Sequence, residues 1–192
     1  LMLALPGQSE LAQTLHEAGH IPDPDAIWSA TEALATAMAQ RYAPLLDALT
    51  AETAVTAPYA PDAAQSGKRA LGSAVLSLRS RLDDGAAARA QFDAADNMTL
   101  QQTALVNLIR AGRGEAQLAA FYDQWRQDKL VMDKWFALQV ASAPPAEAAD
   151  IAARLTGHAD FDWRNPNRFR ALLGGLAGHH AGFHRADGAG YR

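Results

Sequence analysis

The sequence of 192 residues contains no cysteine, which excludes disulfides and thiolate metal sites. This absence fits a reducing compartment, and we expect a cytoplasmic location. No apolar run approaches the roughly 20 residues that a membrane-spanning helix needs. The first residues also lack a basic segment leading into an apolar signal region. We therefore expect no association with a membrane.

Basic residues are too few and too scattered to form a nucleic-acid-binding surface. The chain has 17 Lys and Arg against 21 Asp and Glu, for a formal net charge of −4. The cations occur singly along the sequence, whereas proteins that grip a phosphate backbone gather them on one face. The composition therefore argues against nucleic acid as a partner.

Aromatic residues make up only 7% of the chain, while apolar residues reach 49%, with alanine the most abundant of them. Alanine costs no side-chain entropy in a helix and allows helix backbones to approach closely. Strands instead favour β-branched and aromatic residues. The composition thus predicts packed helices with almost no strand.

Helix start signals divide the chain into successive helical segments. We assign N-caps, or helix starts, to four positions: Asp23 before Pro24, Ser66, Thr99 with Gln102 as a capping box, and Asn165 before Pro166. Residues 50–65 are rich in Thr, Ala and Pro and are predicted to form a loop. From residue 99 onward the helices follow one another through short connections, as antiparallel neighbours do.

These patterns predict an all-α fold in which stacked antiparallel αα-hairpins form a HEAT/ARM-like superhelix. The apolar stripes run along the whole chain, so we treat residues 1–192 as a single helical domain. The spacing of the helix pairs is irregular and no side-chain motif recurs. The repeat is therefore expected in the shape of the chain and not in its sequence.

Four stretches of the sequence carry a resemblance to a known family. They are Asp-Asn-Met-Thr at 96–99, Leu-Val-Met-Asp-Lys-Trp-Phe-Ala-Leu-Gln at 130–139, Asn-Pro-Asn-Arg-Phe-Arg at 165–170, and Phe-His with Asp-Gly-Ala-Gly-Tyr within 183–191. Together they resemble the C-terminal domain of the aminopeptidase N (alanyl aminopeptidase) family of bacterial zinc metallopeptidases. The second stretch resembles the most distinctive helix of that domain.

The resemblance implies a function that this chain does not perform alone. In that family a zinc site in a separate, earlier domain removes N-terminal residues from peptides, and the C-terminal helical domain closes over the site. We therefore expect zinc in the full-length enzyme, a peptide substrate, no catalytic or metal-binding residue here, and a domain that continues past residue 192. The alternative is a free-standing helical-repeat scaffold that binds a protein.

His16, Glu17 and His20 have the spacing of the HExxH zinc-binding motif. We expect no zinc there, because Gly19 interrupts the motif and Pro22 ends the helix just after it. His180 and His184 also lie four residues apart, but Gly182 intervenes and no acidic residue has a spacing that completes a tetrahedral site. Both pairs are interpreted as structural.

The resemblance singles out Arg170 as a substrate-channel residue. An apolar stripe is predicted to point into the core at four positions: Phe169, Leu172, Leu173 and Leu176. Arg170 lies off that stripe, and the small residues Gly174 and Gly178 follow it at one and two helical turns. Its guanidinium would then be free to bind a peptide carboxylate or carbonyl, or else to form a structural ion pair. Arg168 is expected to pair locally, and Asp133 to be hydrogen-bonded at a helix interface.

Overall fold

The computed structural model describes residues 5–192, so the first four residues of the predicted domain lie outside it. Within this range the regular structure is helical, and no strand is present. The helices are α1 (Gln8–Glu17), α2 (Pro24–Arg41), α3 (Ala43–Thr53), α4 (Ala63–Arg79), α5 (Ala86–Ala94), α6 (Met98–Arg110), α7 (Glu115–Trp125), α8 (Lys129–Ala141), α9 (Pro145–Thr156), α10 (Pro166–Phe169), a π-helical turn (Arg170–Gly174), α11 (Gly175–Gly178), α12 (His180–Phe183) and a final 3₁₀ turn (Ala189–Tyr191). The prediction of an all-α chain is confirmed.

Two of the four predicted helix starts are confirmed and two are wrong. The Asp23 carboxylate accepts hydrogen bonds from the amides of Asp25 and Ala26, and the Asn165 side chain accepts two at the start of α10. At α4 and α6, however, Asp62 and Asn97 act as the caps in place of Ser66 and Thr99. In both helices an earlier Asp or Asn already accepts a first-turn amide, so the helix begins before the predicted residue.

The connection between α3 and α4 spans residues 54–62, so both ends of the predicted loop at 50–65 are helical. Side chains from α4 hold this connection. Arg69 donates from Nη2 to the Ala60 carbonyl at 3.1 Å, and its guanidinium lies 4.8 Å from the centre of the Tyr59 ring. Gln65 donates to the Pro58 carbonyl at 2.9 Å. The segment is therefore anchored by hydrogen bonds to its own backbone.

The chain forms two compact units. One contains Leu5 and Ala30–Gly114, and the other contains Pro6–Ser29 and Glu115–Arg192. The first unit has an apolar core at the packed helices α2, α3 and α4, where these residues are buried: Ala35, Ala39, Leu46, Val75 and Leu78. In the same unit α5 packs closely on α6. None of the described helices is both long and apolar enough to cross a bilayer.

The second unit is built around α8, which is buried on more than one face. Its buried positions are Val131, Met132, Trp135, Phe136, Gln139 and Val140. They form two neighbouring rows along the helix, and α7, α9 and the π-helical turn pack against α8. The buried ring of Phe136 lies in edge contact with that of Trp135, at 5.1 Å between ring centres. This helix fixes the elements that carry the candidate site.

Gly182 of α12 packs directly against α9 in the second unit. A Cβ atom added there would lie 2.7 Å from the Cβ of Ala148 on α9, inside van der Waals contact. We expect Gly182→Ala to lower the free energy of unfolding by about 2 kcal/mol, because α12 must move away from α9. Gly178→Ala is the matched control, since a Cβ there meets open space. Denaturant unfolding of both variants would test this, and equal stabilities would contradict it.

Candidate functional site

The candidate site lies on the segment from Asn165 to Gly178, which contains an unusual change of helix type. Asn165 caps a first turn that begins with Pro166. Proline suits the first position of a helix because it lacks the amide N–H that would have no partner within the helix there. After one turn the α-helix becomes π-helical from Arg170 to Gly174 and then returns to α-helix. Single π-helical turns occur often at functional sites, where they change the direction of a side chain.

Arg168 anchors this segment to α8. Its side chain is 6% exposed, and its Nε donates to the Oδ1 atom of Asp133 at 2.6 Å. Further donors of the guanidinium reach the carbonyls of Asp160 and Lys129, and the group lies 4.7 Å from the centre of the Phe136 ring. The buried charge is therefore paired with a carboxylate, and each of the three guanidinium nitrogens has an acceptor, which offsets the cost of burying the group.

The structure corrects two predictions about this segment. Arg168 was expected to pair locally, yet its carboxylate partner is 35 residues away in the sequence. Phe169 was expected in the core and is 40% exposed, while Arg168, Leu172 and Leu176 form the buried row. The hydrogen-bonded role predicted for Asp133 is confirmed. The signal for the pair was present, because a lone carboxylate on a mostly apolar helix requires a cation nearby.

Arg170 is exposed and lies two residues beyond the anchored Arg168. Within the part of the chain that the structure describes, its side chain has no hydrogen bond or ion pair. The described residues therefore give no support to the alternative role of Arg170 in a structural ion pair. Added Cβ atoms at Gly174 and Gly178 would meet nothing within 4 Å, so the surface of the segment is open at both glycines. A Cβ atom added at Gly175, in contrast, would lie 3.5 Å from the carbonyl oxygen of Ala137 on α8. A freely exposed fork of donors on a fixed segment can bind a carboxylate or carbonyl group.

Aromatic side chains form an exposed row next to this segment. The Trp163 ring lies between those of Phe161 and Phe169, at 5.0 and 6.1 Å from their centres. Trp163 is 59% exposed and Phe169 is 40% exposed. The predictions from the sequence did not include this row, although Trp163 is a large apolar residue in a polar stretch outside any predicted helix. Exposed aromatic rings of this kind are typical of contact surfaces.

The literal zinc motif does not lie on one helical surface. Helix α1 ends at Glu17, and Gly19 takes a left-handed backbone conformation with φ of +83° before His20. His16 and His20 therefore do not share a helix face, as HExxH zinc binding requires. Across residues 5–192, no group of three or more His, Asp or Glu side chains has an arrangement that could hold a metal ion. The donor set of this part does not fit zinc.

The later histidines have structural contacts of several kinds. His179 is buried, accepts a hydrogen bond from the Gly182 amide at Nδ1 and lies 2.8 Å from the Ala143 carbonyl at Nε2. That arrangement assigns the proton to Nε2. Its ring stacks on Trp28 at 5.0 Å. His184 contacts the Tyr191 hydroxyl through Nδ1, and the rings of His180 and His184 lie 6.0 Å apart. These side chains are engaged in packing and capping.

Comparison with known proteins places these observations in a family. A family described as "Domain of unknown function (DUF3458_C) ARM repeats" matches residues 1–192. Aminopeptidase N of Caulobacter vibrioides is 37% identical over 197 residues, and the match covers 100% of this chain and 22% of that protein. Aminopeptidase N of Escherichia coli is 35% identical over 197 residues, and the match covers 99% of this chain and 22% of that protein. The chain thus spans about a fifth of the length of these relatives.

The fold also matches a solved structure. A crystal structure of Legionella pneumophila aminopeptidase A in complex with aspartic acid superposes with a TM-score of 0.85 and 26% sequence identity. The match covers 98% of this chain and 23% of that one. The resemblance to aminopeptidase N and the predicted HEAT/ARM-like class of fold are both confirmed by these comparisons.

Proposed function

The chain belongs to the DUF3458_C family of ARM-repeat domains, and on that basis we propose that it serves as a helical domain of a zinc aminopeptidase. In this proposal another segment supplies the zinc and removes N-terminal residues from peptides. The present chain shapes the internal chamber and the path of the substrate, and it is inactive alone. The similarity to aminopeptidases over the whole of this chain supports the proposal.

One observation carries the role of this chain in substrate access, namely the exposed side chain of Arg170, which has no hydrogen bond or ion pair within the described residues. Arg168 and Asp133 fix the backbone from which it extends. The guanidinium group is planar and rigid, so its N–H donors keep their relative geometry even without a partner from the same chain. It is therefore suited to a carboxylate or carbonyl of a peptide in the substrate channel.

We expect Arg170→Ala to reduce kcat/KM about tenfold when the complete polypeptide, including the catalytic segment, acts on peptides that reach this position. The physical reason is the loss of a charge-assisted hydrogen bond to the peptide. Short amino-acid amides that do not reach it should be cleaved as before. Kinetics over a series of peptide lengths provide the measurement.

The matched control is Arg154→Ala, which removes another exposed arginine, from α9 of the same unit. It should leave kcat/KM unchanged for every peptide length. Equal kinetics for Arg170→Ala and the parent at all lengths would remove Arg170 from the channel. A uniform loss that includes the amides would point to disturbed folding and not to peptide binding.

A second candidate is a free-standing scaffold that binds a protein partner. The exposed row of Trp163 and Phe169 favours it, because exposed aromatic side chains are common binding anchors. Release of a chromophore from amino-acid amides by the complete polypeptide would support the peptidase. The location proposed for either function is the cytoplasm, with which the absence of cysteine is consistent.

A further inference from the structure

The first unit contains a polar cavity that the proposed peptidase function does not use. Its volume is about 210 Å³, and seven of its eight lining residues are polar or charged. Glu32 of α2, Ser80 and Arg81 after α4, and Arg110 at the end of α6 supply the chemistry. A cavity of this size is large enough for a small ion with its bound water.

The cavity carries more positive than negative charge. Arg81 donates from Nη2 to both Glu32 oxygens, at 2.9 and 3.1 Å. Nη1 of Arg110 lies 3.9 Å from the same carboxylate. Two guanidinium groups thus share one carboxylate. The other acidic residue of the lining, Asp84, is paired at 2.9 Å with Arg113 and does not offset this excess.

The buried polar atoms of the lining include the Ser80 hydroxyl and Nε of Arg81, for which the described residues offer no hydrogen-bond partner. Ser80 is only 6% exposed, and the Arg81 side chain only 12%. Nη1 and Nη2 of Arg81 are occupied by Ser77 and Glu32, so Nε is the unused edge of its donor fork. Buried polar groups of native proteins nearly always have a partner, which a ligand can supply.

Electrostatics favour an anion over water as that partner. Water could bond to the hydroxyl and to Nε, but it would leave the excess positive charge unchanged. Burial lowers the pKa of the Arg110 guanidinium, Glu32 opposes this shift, and the charge of Arg81 adds to it. A bound anion would relieve both the repulsion between the two cations and the loss of solvent around them.

From this geometry we propose that the cavity formed by Glu32, Ser80, Arg81 and Arg110 binds a small oxyanion, a phosphate or a carboxylate group. Nε of Arg81 and the Ser80 hydroxyl donate to its oxygens, and Arg110 supplies the balancing charge. The site belongs to the first unit, whereas Arg170 lies in the second. The proposal is therefore independent of the peptidase function.

Titration of the 192-residue chain with inorganic phosphate tests the site, with chloride at the same ionic strength as reference. Calorimetry should detect saturable binding of phosphate, and the Tm should rise with phosphate and not with chloride. A parallel titration with succinate identifies the source of the oxyanion. Tighter binding of phosphate assigns the site to phosphorylated compounds, and tighter binding of succinate assigns it to carboxylic acids.

Variants separate a binding site from a structural ion cluster. Arg110→Gln should weaken binding about tenfold or more, since a charged donor is lost. Arg89→Gln is the matched control, because it removes an exposed guanidinium of the same unit that does not line the cavity, and it should leave binding unchanged. Ser80→Ala should bind the oxyanion more weakly and yet be at least as stable as the parent in chloride, because it removes a buried hydroxyl that has no partner.

Three results would overturn the proposal. The first is equal stabilisation by phosphate, succinate and chloride at matched ionic strength. The second is equal phosphate binding by the Arg110→Gln and Arg89→Gln variants. The third is a loss of stability on Ser80→Ala in chloride, which would mean that the hydroxyl already has a protein partner. Because Ser80→Ala removes only one oxygen atom, its result does not depend on the survival of the ion pairs.

Discussion

Replacing Asp133 by alanine is expected to lower the free energy of unfolding by about 3 kcal/mol, because the guanidinium of Arg168 would then be buried without a counter-charge. The two side chains are 17% and 6% exposed and meet at 2.6 Å. Hydrogen bonds from Arg168 to backbone carbonyls would remain but would not neutralise the charge. Denaturant-induced unfolding of variant and parent provides the measurement.

Asp150→Ala is the control for this experiment, since Asp150 is exposed on α9 of the same unit. It should change the free energy of unfolding by no more than about 0.5 kcal/mol. The double variant Asp133→Ala with Arg168→Leu should recover much of the lost stability, because no unpaired charge is then buried. Equal stabilities of the Asp133→Ala and Asp150→Ala proteins would show that the pair contributes nothing.

The other large effect is expected at Phe136, whose side chain is fully buried on α8. Its ring contacts Trp135, His158 and Phe161, and it lies beneath the guanidinium of Arg168. We expect Phe136→Ala to lower the free energy of unfolding by about 4 kcal/mol, from lost apolar burial and from the cavity left behind. Thermal and denaturant unfolding would both report it.

Leu130→Ala is the matched control on the same helix, because Leu130 is 70% exposed. Its effect should stay within about 0.5 kcal/mol of the parent. A loss below about 1 kcal/mol for Phe136→Ala would contradict the central packing role of this ring. Such a result would require neighbouring aromatic side chains to fill the vacated space.

The Asp133–Arg168 ion pair and the Phe136 ring stabilise the same small region of the second unit. Asp133 and Phe136 lie on one helix, and both contact Arg168, which begins the row of buried residues under the π-helical turn. Arg170 follows two residues later. Both substitutions should therefore loosen the segment that carries Arg170, in addition to lowering stability. The fixed direction of the exposed guanidinium depends on these buried contacts.

Local signals in the sequence were sufficient where a proline marked the first helical residue. Asp23 and Asn165 are each followed directly by proline, and both cap their helices. At α4 and α6 two candidates lie within four residues of each other, and the earlier one is used. Capping preferences differ by only a few tenths of a kcal/mol among these residue types, so sequence alone cannot choose between them.

The sequence predicted that Arg170 lies off the apolar stripe, but it did not predict which of the neighbouring residues are buried. Its position off the apolar stripe and the open space at Gly174 and Gly178 follow from helical spacing. The burial of Arg168 and the exposure of Phe169 do not, because they depend on a carboxylate 35 residues away. A charged side chain enters a core only where another element supplies the opposite charge, and helical periodicity contains no information about that element.

The sequence by itself determined the helical class of this chain, the starts of α2 and α10 and its family, because helix propensity, capping and apolar spacing act between residues close in the chain. Only the tertiary structure decided which charges pair and which remain exposed. It placed Asp133 against Arg168, left Arg170 free within the described residues, and brought Glu32, Arg81 and Arg110 around one cavity. These contacts join segments far apart in the sequence, and their energies depend on burial, which exists only after the helices have packed.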